Sequence, residues 1–414
     1  MVNLFYDSYR ILSKVYGEKA FIKQAINSEV IEPLNKNAVI KTCYGVIDND
    51  IYLEYVISKF CQKRPKLPIR ILLKIAIYSI KFLNKAPYAV TDSAVELCKK
   101  LGKGGMSGFL NAILRKFINN QNVELPKERV KMLSIKYSFP AFAVEQLISD
   151  YGEEVAEQII SHSEVNTFLR FSNCNGEDYL TSIGCSFQTT PFKNCFALKN
   201  FNREDGFFDG KYTFQSIGSV AICETIDKGE FLLDACAAPG GKSVALANKF
   251  QKVTSCEIHS HRAKLIEEYA SRMKVSNIDI KVQDSTQFNE QFVEKFDTIL
   301  CDVPCSGFGV TKENPDIKLN REYENLEQLN EIQLKILQTC SNYLKPGGSL
   351  YYSTCSIFKR ENGDLIKRFL DSNSDFKLTI IDSPLNHLKD GIGLQFLPHI
   401  SMGAGFYVCK MIKL

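Results

Sequence analysis

Long apolar runs are missing from this 414-residue chain. The densest apolar stretch, residues 69–83, is interrupted by Arg70 and two lysines, whereas a membrane-spanning helix needs about 20 mostly apolar residues in succession. Near the N-terminus, Asp7 and Arg10 stand where a signal peptide would need an apolar segment. We therefore expect no membrane partner and no export, and we predict a cytoplasmic monomer.

Metal-ligand and disulfide spacings are also missing. Of the five histidines only His259 and His261 lie close together, which is not a zinc-ligand pattern, and the fourteen cysteines include no C-x-x-C pair. A secreted disulfide framework would be short and dense in cysteine. We predict no metal site and free thiols, most of them small core residues in apolar helical patterns, such as Cys43, Cys61, Cys98, Cys223 and Cys340.

Acidic residues are absent between Tyr55 and Thr91, where eight basic residues accumulate: Lys59, Lys63, Arg64, Lys66, Arg70, Lys74, Lys81 and Lys85. Residues 1–120 carry 19 Lys and Arg against 9 Asp and Glu, a net charge of +10. The remaining 32 basic and 38 acidic side chains leave the rest of the chain at −6. A basic segment joined to an acidic one indicates a polyanion-binding domain coupled to a second activity.

The first 120 residues predict an all-helical domain. Apolar residues recur at helical spacing in 38–46, 53–60, 69–82 and 90–97, and Thr91 or Asp92 is a plausible N-cap for the last of these. After a glycine loop, Phe109-Leu110-Asn111-Ala112-Ile113-Leu114-Arg115 restarts a helix. This stretch resembles the NusB-like antitermination-factor domain, where a similar Phe-x-Asn-Ala-x-Leu-Arg closes the bundle. The resemblance implies RNA binding.

A connecting region follows. Amphipathic patterns predict helices over 143–151 and 153–160, and beyond Arg170 the pattern becomes short and strand-like. We predict a small α+β region there.

From Gly229 onward, apolar strand patterns alternate with helical ones. The predicted strands are 231–236, 253–257, 278–282, 298–302 and 349–354, with two late strands, 376–381 and 406–411, forming a hairpin. The predicted helices are 242–250, 262–274 and 326–344. Such alternation predicts a doubly wound, mainly parallel sheet. Ligands of these sheets bind at the carboxyl ends of the strands.

The first of these strands runs into a glycine-containing loop, Asp234-Ala235-Cys236-Ala237-Ala238-Pro239-Gly240-Gly241-Lys242. The loop and the following helix start suit a carboxylate or phosphate. A Walker A reading needs glycine at position 236, where the chain has cysteine, and a G-x-G-x-x-G fingerprint is absent. S-adenosylmethionine remains. Glu257, ending the second strand, suits its ribose hydroxyls, and Asp284, just past the third, suits its adenine amino group.

Two cysteines stand at later strand ends, in Asp302-Val303-Pro304-Cys305-Ser306-Gly307 and Ser353-Thr354-Cys355-Ser356. Together with the Ala-Pro-Gly-Gly-Lys loop, they resemble the RNA cytosine-carbon-5 methyltransferases. That chemistry needs a thiolate to add to carbon 6 of the base, an acid near N3, and a later base for the carbon-5 proton. Asp302 is placed to protonate or hydrogen-bond N3, and Lys242 is placed to orient Asp302 or a substrate phosphate.

The chemistry alone does not choose between the two thiols. DNA cytosine methyltransferases attack with a Pro-Cys thiol, which would select Cys305. In the resembled RNA family the Thr-Cys thiol attacks and the Pro-Cys thiol assists release, which implies Cys355 as nucleophile and Cys305 as release residue. The cofactor-binding residues that we predict are Cys236, Ala237, Ala238, Pro239, Gly240, Gly241, Lys242, Glu257, Arg262, Asp284 and Asp302.

These observations predict an α/β protein with a doubly wound, Rossmann-like class I methyltransferase core. Its parts are a NusB-like helical RNA-binding domain (1–125), a connecting region that also binds RNA (126–205) and an S-adenosylmethionine-dependent methyltransferase domain (206–414). The combination resembles the bacterial 16S ribosomal RNA enzymes of the family, which implies methylation of an unpaired or flipped cytosine. Two alternatives stay open: a tRNA cytosine-carbon-5 methyltransferase, and a non-catalytic RNA-binding or ribosome-assembly factor.

Overall fold

The computed structural model describes residues 2–199, 201, 205–320 and 323–414. Its helices are, in chain order, α1 (Val2–Glu18), α2 (Ile22–Asn27), α3 (Lys36–Asp48), α4 (Asp50–Phe60), α5 (Leu67–Lys81), α6 (Pro87–Lys100), α7 (Ser107–Asn119), α8 (Arg129–Tyr137), α9 (Ala141–Tyr151), α10 (Glu153–Ser161), α11 (Gly176–Ser182), α12 (Asp205–Phe208), α13 (Ile217–Thr225), α14 (Gly241–Leu246), α15 (Ser260–Arg272), α16 (Ile317–Asn320), α17 (Tyr323–Ser341) and α18 (Gly363–Asp371). Its strands are β1 (Thr167–Phe171), β2 (Gln188–Thr189), β3 (Cys195–Leu198), β4 (Tyr212–Phe214), β5 (Gly229–Asp234), β6 (Phe250–Glu257), β7 (Ile278–Val282), β8 (Phe296–Asp302), β9 (Leu344–Thr354), β10 (Phe376–Thr379), β11 (Leu388–Lys389), β12 (Leu394–Phe396) and β13 (Phe406–Lys413).

The chain packs as two compact units. One comprises Met1–Ser161 and Thr311–Arg321, the other His162–Val310 and Glu322–Leu414. Helices α8 to α10 belong to the first unit; the Tyr52 amide in α4, for example, donates to Ser138 Oγ at the end of α8 (3.1 Å). This partition divides the chain differently from the predicted segments 1–125, 126–205 and 206–414, which stay a prediction.

The core of the helical unit is built around α5. Eleven of its fifteen residues are buried, so that the helix is apolar on nearly all sides. Lys74 lies inside this core, where it forms ion pairs with Asp50 and with Glu54 (2.7 Å). It therefore does not contribute to the predicted basic surface, although Lys59, Lys63, Arg64, Lys66 and Lys85 are exposed.

The predicted cap of the sixth helix is wrong. Helix α6 begins at Pro87, with Thr91 and Asp92 inside it, and the Thr91 hydroxyl donates to the Pro87 carbonyl (2.8 Å). Proline is favoured in the first turn because its fixed φ is helical and its missing N–H has no partner there in any case.

In the second unit, a small antiparallel sheet precedes the large one. Its strand order is β2-β3-β1-β4, with Leu169 opposite Phe214. One face is covered by an aromatic cluster that includes Phe171, Phe196 and Tyr212. Together with α11 and α12, this sheet forms a small α+β region, of which β4 lies beyond the predicted limit at residue 205.

The large sheet has the order β11-β12-β13-β9-β8-β5-β6-β7. Strands β5 to β9 are parallel, and β13 runs antiparallel to β9. The outer edge of β13 is shared by β12 and by β10, which pairs Phe376 with Lys413. The two predicted late strands therefore do pair, but β11 and β12 lie between them in the chain.

Alternating side chains of the large sheet form separate cores on its two faces. Leu232 and Leu300 belong to one cluster, which α13 contributes to, while their neighbours Leu233 and Ile299 belong to another, which α17 and α18 contribute to. Helices on both faces explain why the strands are nearly continuous apolar runs.

Candidate active site

The parallel strands of the large sheet have their carboxyl ends on the same side of the sheet. Strands β5, β6 and β8 end in carboxylates, those of Asp234, Glu257 and Asp302, and β9 ends at Thr354, just before Cys355. The winding reverses at β5, because β6 pairs with one side of it and β8 with the other. Ligands of doubly wound sheets bind at such a reversal.

The loop between β5 and α14 has the backbone that its glycines suggest. Gly240 has φ +102°, and a Cβ atom there would lie 3.2 Å from the Cα of Ile266 in α15. Only glycine allows both the conformation and the close approach. The Ala237 amide donates to the Cys256 carbonyl (2.8 Å), which fixes the loop to the neighbouring strand. Residues 236–240 thus form a turn at the end of β5, and Gly241 and Lys242 begin α14.

Asp234 was not among the predicted site residues. Its side chain is 1% exposed, and its Oδ2 accepts from the Ser243 hydroxyl (2.6 Å). Burial, opposed by that hydrogen bond and reinforced by the charge of Asp302, raises the pKa of Asp234 to about 6. Within the described residues its Oδ1 has no hydrogen-bond partner. Such an oxygen beside a glycine turn fits a ligand that brings a donor, as S-adenosylmethionine does.

The two acids predicted for ribose and adenine lie at neighbouring strand ends. Glu257 is buried and accepts from the His259 amide (3.0 Å), and Arg262 pairs with it (3.3 Å) while also donating to the Ala238 carbonyl (3.1 Å). Arg262 thus links the Glu257 carboxylate to the backbone of the loop. Asp284 accepts from the Thr286 amide (2.9 Å), which holds it just past β7.

Asp302 and Lys242 form the charged centre of the site. Lys242 Nζ lies 2.6 Å from one oxygen of Asp302, and the Ser353 hydroxyl donates to the other (2.6 Å). Burial by itself would lower the pKa of Lys242, but the Asp302 carboxylate outweighs it, so the pKa lies above its ordinary value. Lys242 is therefore a cation, and both oxygens of Asp302 are held.

The two predicted catalytic thiols face each other. Cys305 Sγ lies 3.1 Å from Cys355 Sγ, with Cys305 buried and Cys355 half-buried. The hydrogen bond with Cys355, together with burial, raises the pKa of Cys305 well above its ordinary value. Gly309 donates its amide to the Cys355 carbonyl (3.0 Å), so the two cysteine loops cross in direct contact.

A second residue that the sequence did not reveal is Glu361. Its carboxylate is fully buried and accepts hydrogen bonds from Ser306 and Ser356, the residues that follow the two cysteines. It stands in a 3-10 turn after β9, where no periodic pattern marks it.

With the site described, the chain can be compared with known proteins. The family model described as 16S rRNA methyltransferase RsmB/F matches residues 221–412, and that of the NusB family matches residues 8–119. The chain is 32% identical to the probable ribosomal RNA small subunit methyltransferase B of Bacillus subtilis, over 95% of this chain and 94% of that protein. The chain belongs to the ribosomal RNA small subunit methyltransferase B family. A Pasteurella multocida member is 29% identical, over 90% of this chain and 86% of its own.

Solved structures support the fold of this family member. The crystal structure of PH0851 superimposes with a TM-score of 0.82 at 23% identity, covering 98% of both chains. A methyltransferase homologue from Pyrococcus horikoshii gives a TM-score of 0.61 at 24% identity, covering 70% of this chain and all of that one.

Several predictions are thereby confirmed. The chain has the Rossmann-like methyltransferase fold with a NusB-like helical domain, and it is an RNA methyltransferase with S-adenosylmethionine as cofactor. None of the helices in the described part of the chain combines the length and apolarity needed to cross a membrane.

Proposed function

We propose that this protein methylates carbon 5 of a cytosine in 16S ribosomal RNA through a covalent bond between Cys355 and the base. The observation that carries this proposal is the pair of facing thiols, 3.1 Å apart, at the same edge of the sheet as the Asp302–Lys242 pair. A single buried thiol is usually inert. Two thiols beside a charged acid–base pair supply the nucleophile, the acid and the release group that the reaction needs.

The residues at the ends of β5, β6 and β7 would hold the cofactor. The backbone turn at Gly240 and Gly241, the buried Asp234, and the carboxylates of Glu257 and Asp284 line these strand ends. When bound, S-adenosylmethionine supplies an electrophilic methyl group. The protein's own task is to make carbon 5 of the base nucleophilic.

That activation begins when the Cys355 thiolate adds to carbon 6 of the cytosine. The electrons of the carbon 5–carbon 6 double bond then form a carbon 4–carbon 5 double bond, and those of the carbon 4–N3 double bond move onto N3. N3 takes a proton through Asp302, which in turn receives one from the Lys242 ammonium. Lys242 and Ser353 hold Asp302 in place for this step. Carbon 5 thereby becomes the electron-rich carbon of an enamine and accepts the methyl group.

Release requires the carbon-5 proton to leave while the bond from Cys355 to carbon 6 breaks. The pKa of Cys305 is raised first by its hydrogen bond with Cys355 and then by burial. Once the Cys355 sulfur is bonded to the base, the first of these causes disappears. Cys305 then ionises more easily and takes the carbon-5 proton, which restores the carbon 5–carbon 6 double bond and expels Cys355 as a thiolate. The N3 proton returns through Asp302 to Lys242.

The choice of 16S ribosomal RNA is supported by the names of the relatives, which are small-subunit ribosomal RNA methyltransferases, and by the NusB-like domain with its exposed basic residues. Since a paired base hides carbon 6, the target is an unpaired or flipped cytosine. We further propose that the protein acts as a monomer in the cytoplasm.

The test uses Cys355→Ala and Cys305→Ala with labelled methyl donor and total RNA. Cys355→Ala should abolish turnover, and Cys305→Ala should accumulate a covalent protein–RNA adduct. Cys174→Ala, which removes a half-buried thiol elsewhere in the same unit, is the matched control. Normal turnover by Cys355→Ala would contradict the proposal. Mapping 5-methylcytosine in a deletion strain distinguishes a 16S ribosomal RNA target from a tRNA target.

A further inference from the structure

Glu361 is a buried carboxylate with an unusually complete set of donors. Its Oε1 accepts from the Ser306 amide (2.8 Å) and from Gln333 Nε2 (3.0 Å). Its Oε2 accepts from the hydroxyls of Ser306 (2.5 Å) and Ser356. The residue is 0% exposed. Four donors on one carboxylate compensate much of the cost of taking its charge out of water.

These hydrogen bonds join the two loops that carry the thiols. Ser306 directly follows Cys305, and Ser356 directly follows Cys355. The hydroxyls of the two serines also lie 3.3 Å apart, mirroring the 3.1 Å separation of the two sulfurs. Glu361 therefore stands behind the thiol pair and binds the same two chain segments.

The loop of Cys355 has other supports. Asn362 Nδ2 donates to the Ser356 carbonyl (3.0 Å), its Oδ1 accepts from the Thr354 hydroxyl (2.6 Å), and Gln395 Nε2 also donates to the Ser356 carbonyl (3.3 Å). These contacts do not involve Glu361. The segment around Cys355 should thus keep its position when Glu361 changes.

The loop of Cys305 makes more of the contacts with Glu361, although the Val303 amide also donates to the Ser353 carbonyl (3.1 Å) and the Gly309 amide to the Cys355 carbonyl (3.0 Å). Ser306 makes two of the four hydrogen bonds to this carboxylate. The neighbouring Pro304 carbonyl is held by Gln333 Nε2 (2.9 Å), and that same nitrogen also donates to Glu361. Since Ser306 supplies two of the four donors and Ser356 only one, a change at Glu361 should disturb the Cys305 loop more than the Cys355 loop.

We propose that Glu361 is a positioning residue that sets the Cys305 thiol against Cys355 and so controls the release step. This inference rests on the proposed function, in which Cys305 removes the carbon-5 proton. Burying a charge costs free energy, and apolar side chains of similar volume often pack as well or better. Its retention here accords with a demand for fixed geometry, and a displacement of about 1 Å can lower a rate roughly 10²-fold.

The test compares Glu361→Gln with Glu331→Gln. Glutamine keeps the volume of Glu361 but replaces one acceptor oxygen by a donor, so the hydrogen bonds that this oxygen accepts are lost or reversed in direction. Glu331 carries the same change on the surface of α17, where its side chain is 69% exposed. Single-turnover methyl transfer and the fraction of protein trapped as an RNA adduct are measured for both variants, with wild type and Cys305→Ala as references.

We expect Glu361→Gln to lower turnover roughly 10²-fold while its adduct fraction rises above wild type towards that of Cys305→Ala. Glu331→Gln should match wild type in both. A general structural defect would lower adduct and turnover together, and that result would overturn the inference, as would an unchanged turnover. If Glu361→Gln does not fold, Ser306→Ala removes one of the four donors and should show the same split to a smaller degree.

Hydrogen exchange separates a failure of this inference from a failure of the proposed function. Amides of residues 303–308 should exchange faster in Glu361→Gln than in Glu331→Gln, and those of residues 354–358 should change less. Absence of an adduct from both wild type and Cys305→Ala would refute the covalent mechanism, whereas the exchange pattern still reports on positioning. Equal exchange of residues 303–308 in the two variants would refute the role of Glu361.

Discussion

Two carboxylates at adjacent strand ends are treated differently by their surroundings. Asp302 is held by the Lys242 cation and a serine hydroxyl. Asp234, on the neighbouring strand, is buried with a hydroxyl partner, and its pKa rises to about 6. A divergence of environment between close acids is a mark of functional sites, because it lets the two groups take different roles.

Because the pKa of Asp234 is raised, the folded protein should lose stability as the pH rises. The folded state holds the proton more tightly than the unfolded chain, whose pKa is near 3.8. The stabilising contribution is thus complete below about pH 4 and lost through about pH 6, a difference of about 3 kcal/mol. Asp234→Asn removes this dependence. Its urea midpoint relative to wild type should rise across that window, as followed by circular dichroism.

Asp209→Asn is the control for this pH series, since Asp209 is an exposed aspartate in the same unit. Its difference from wild type should stay flat over the window. Parallel curves for Asp234→Asn and wild type would show that Asp234 does not hold its proton in the folded protein.

Single residues were predictable from sequence where they stood in a motif. Cys305, Cys355 and Asp302 follow apolar strands, and the structure brings both thiols together and pairs Asp302 with Lys242. Asp234 and Glu361 were missed for a physical reason. Their importance comes from complete burial and from partners distant in the chain, such as Gln333, and no local pattern encodes either property.

At the level of elements, the loop after Cys305 passes very close to the backbone of two other segments, at Gly405 and at Cys355. It continues into a 3-10 turn, Phe308–Val310, in which Gly309 donates to the Cys355 carbonyl. A Cβ atom on Gly309 would lie 1.8 Å from the Gly405 carbonyl oxygen and 2.8 Å from that of Cys355. Both contacts are with backbone, which cannot rotate away. The geometry of the thiols thus depends on a glycine.

Gly309→Ala should therefore force the two loops apart. We expect a destabilisation of roughly 1–3 kcal/mol, the usual range for overpacking, and a loss of methyl transfer of at least about 10²-fold. Thermal unfolding and labelled methyl transfer measure the two effects. Gly108→Ala, in helix α7 where a Cβ would meet nothing within 4 Å, is the control and should be neutral or slightly stabilising. Activity of Gly309→Ala equal to that of Gly108→Ala would contradict this account.

Element boundaries were predictable where hydrophobic periodicity decides them. Strand β7 begins and ends as predicted, and β5, β6 and β8 end within the predicted motifs. Helix α14 was predicted to reach Phe250 but ends at Leu246. A 3-10 turn, Ala247–Lys249, then leads into β6, and the Asn277 side-chain amide donates to the carbonyls of Ala247 (2.8 Å) and Phe250 (2.9 Å). Such tertiary capping is invisible in a local pattern.

At the scale of the whole molecule, the boundaries between the two compact units do not coincide with the changes in sequence pattern. Residues 311–321 follow the Cys305 loop but pack with the helical unit. Asp316 Oδ2 accepts from the Ile22 amide (3.2 Å), and Leu319 contacts the helical core. The segment lies within the predicted methyltransferase domain, 206–414. Its packing partner was not encoded locally.

Lys318 and Asp48 are the charged pair that fastens this segment within the helical unit. The Lys318 side chain is 4% exposed, and its Nζ donates to the Asp48 carboxylate (2.5 Å) and to the Asp48 carbonyl (2.7 Å). Burial lowers the pKa of Lys318, and Asp48 opposes this effect. Asp48→Asn leaves a buried cation without its counter-charge, which should destabilise the unit by about 3–5 kcal/mol.

For the Lys318–Asp48 pair, a second substitution should restore part of the stability that Asp48→Asn loses, and the size of that loss should depend on pH. Asp48→Asn with Lys318→Met removes both charges of this pair, although the partly exposed Lys312, which also pairs with Asp48 (3.5 Å), remains. The double variant should unfold at a higher urea concentration than Asp48→Asn alone, with exposed Asp92→Asn as the control. Because the pKa of Lys318 falls further without Asp48, the unfolded chain of Asp48→Asn binds more protons than the folded one. Its deficit should therefore shrink as pH rises above neutral. A deficit equal to that of Asp92→Asn at every pH would show that the position of the segment does not depend on the Lys318–Asp48 pair.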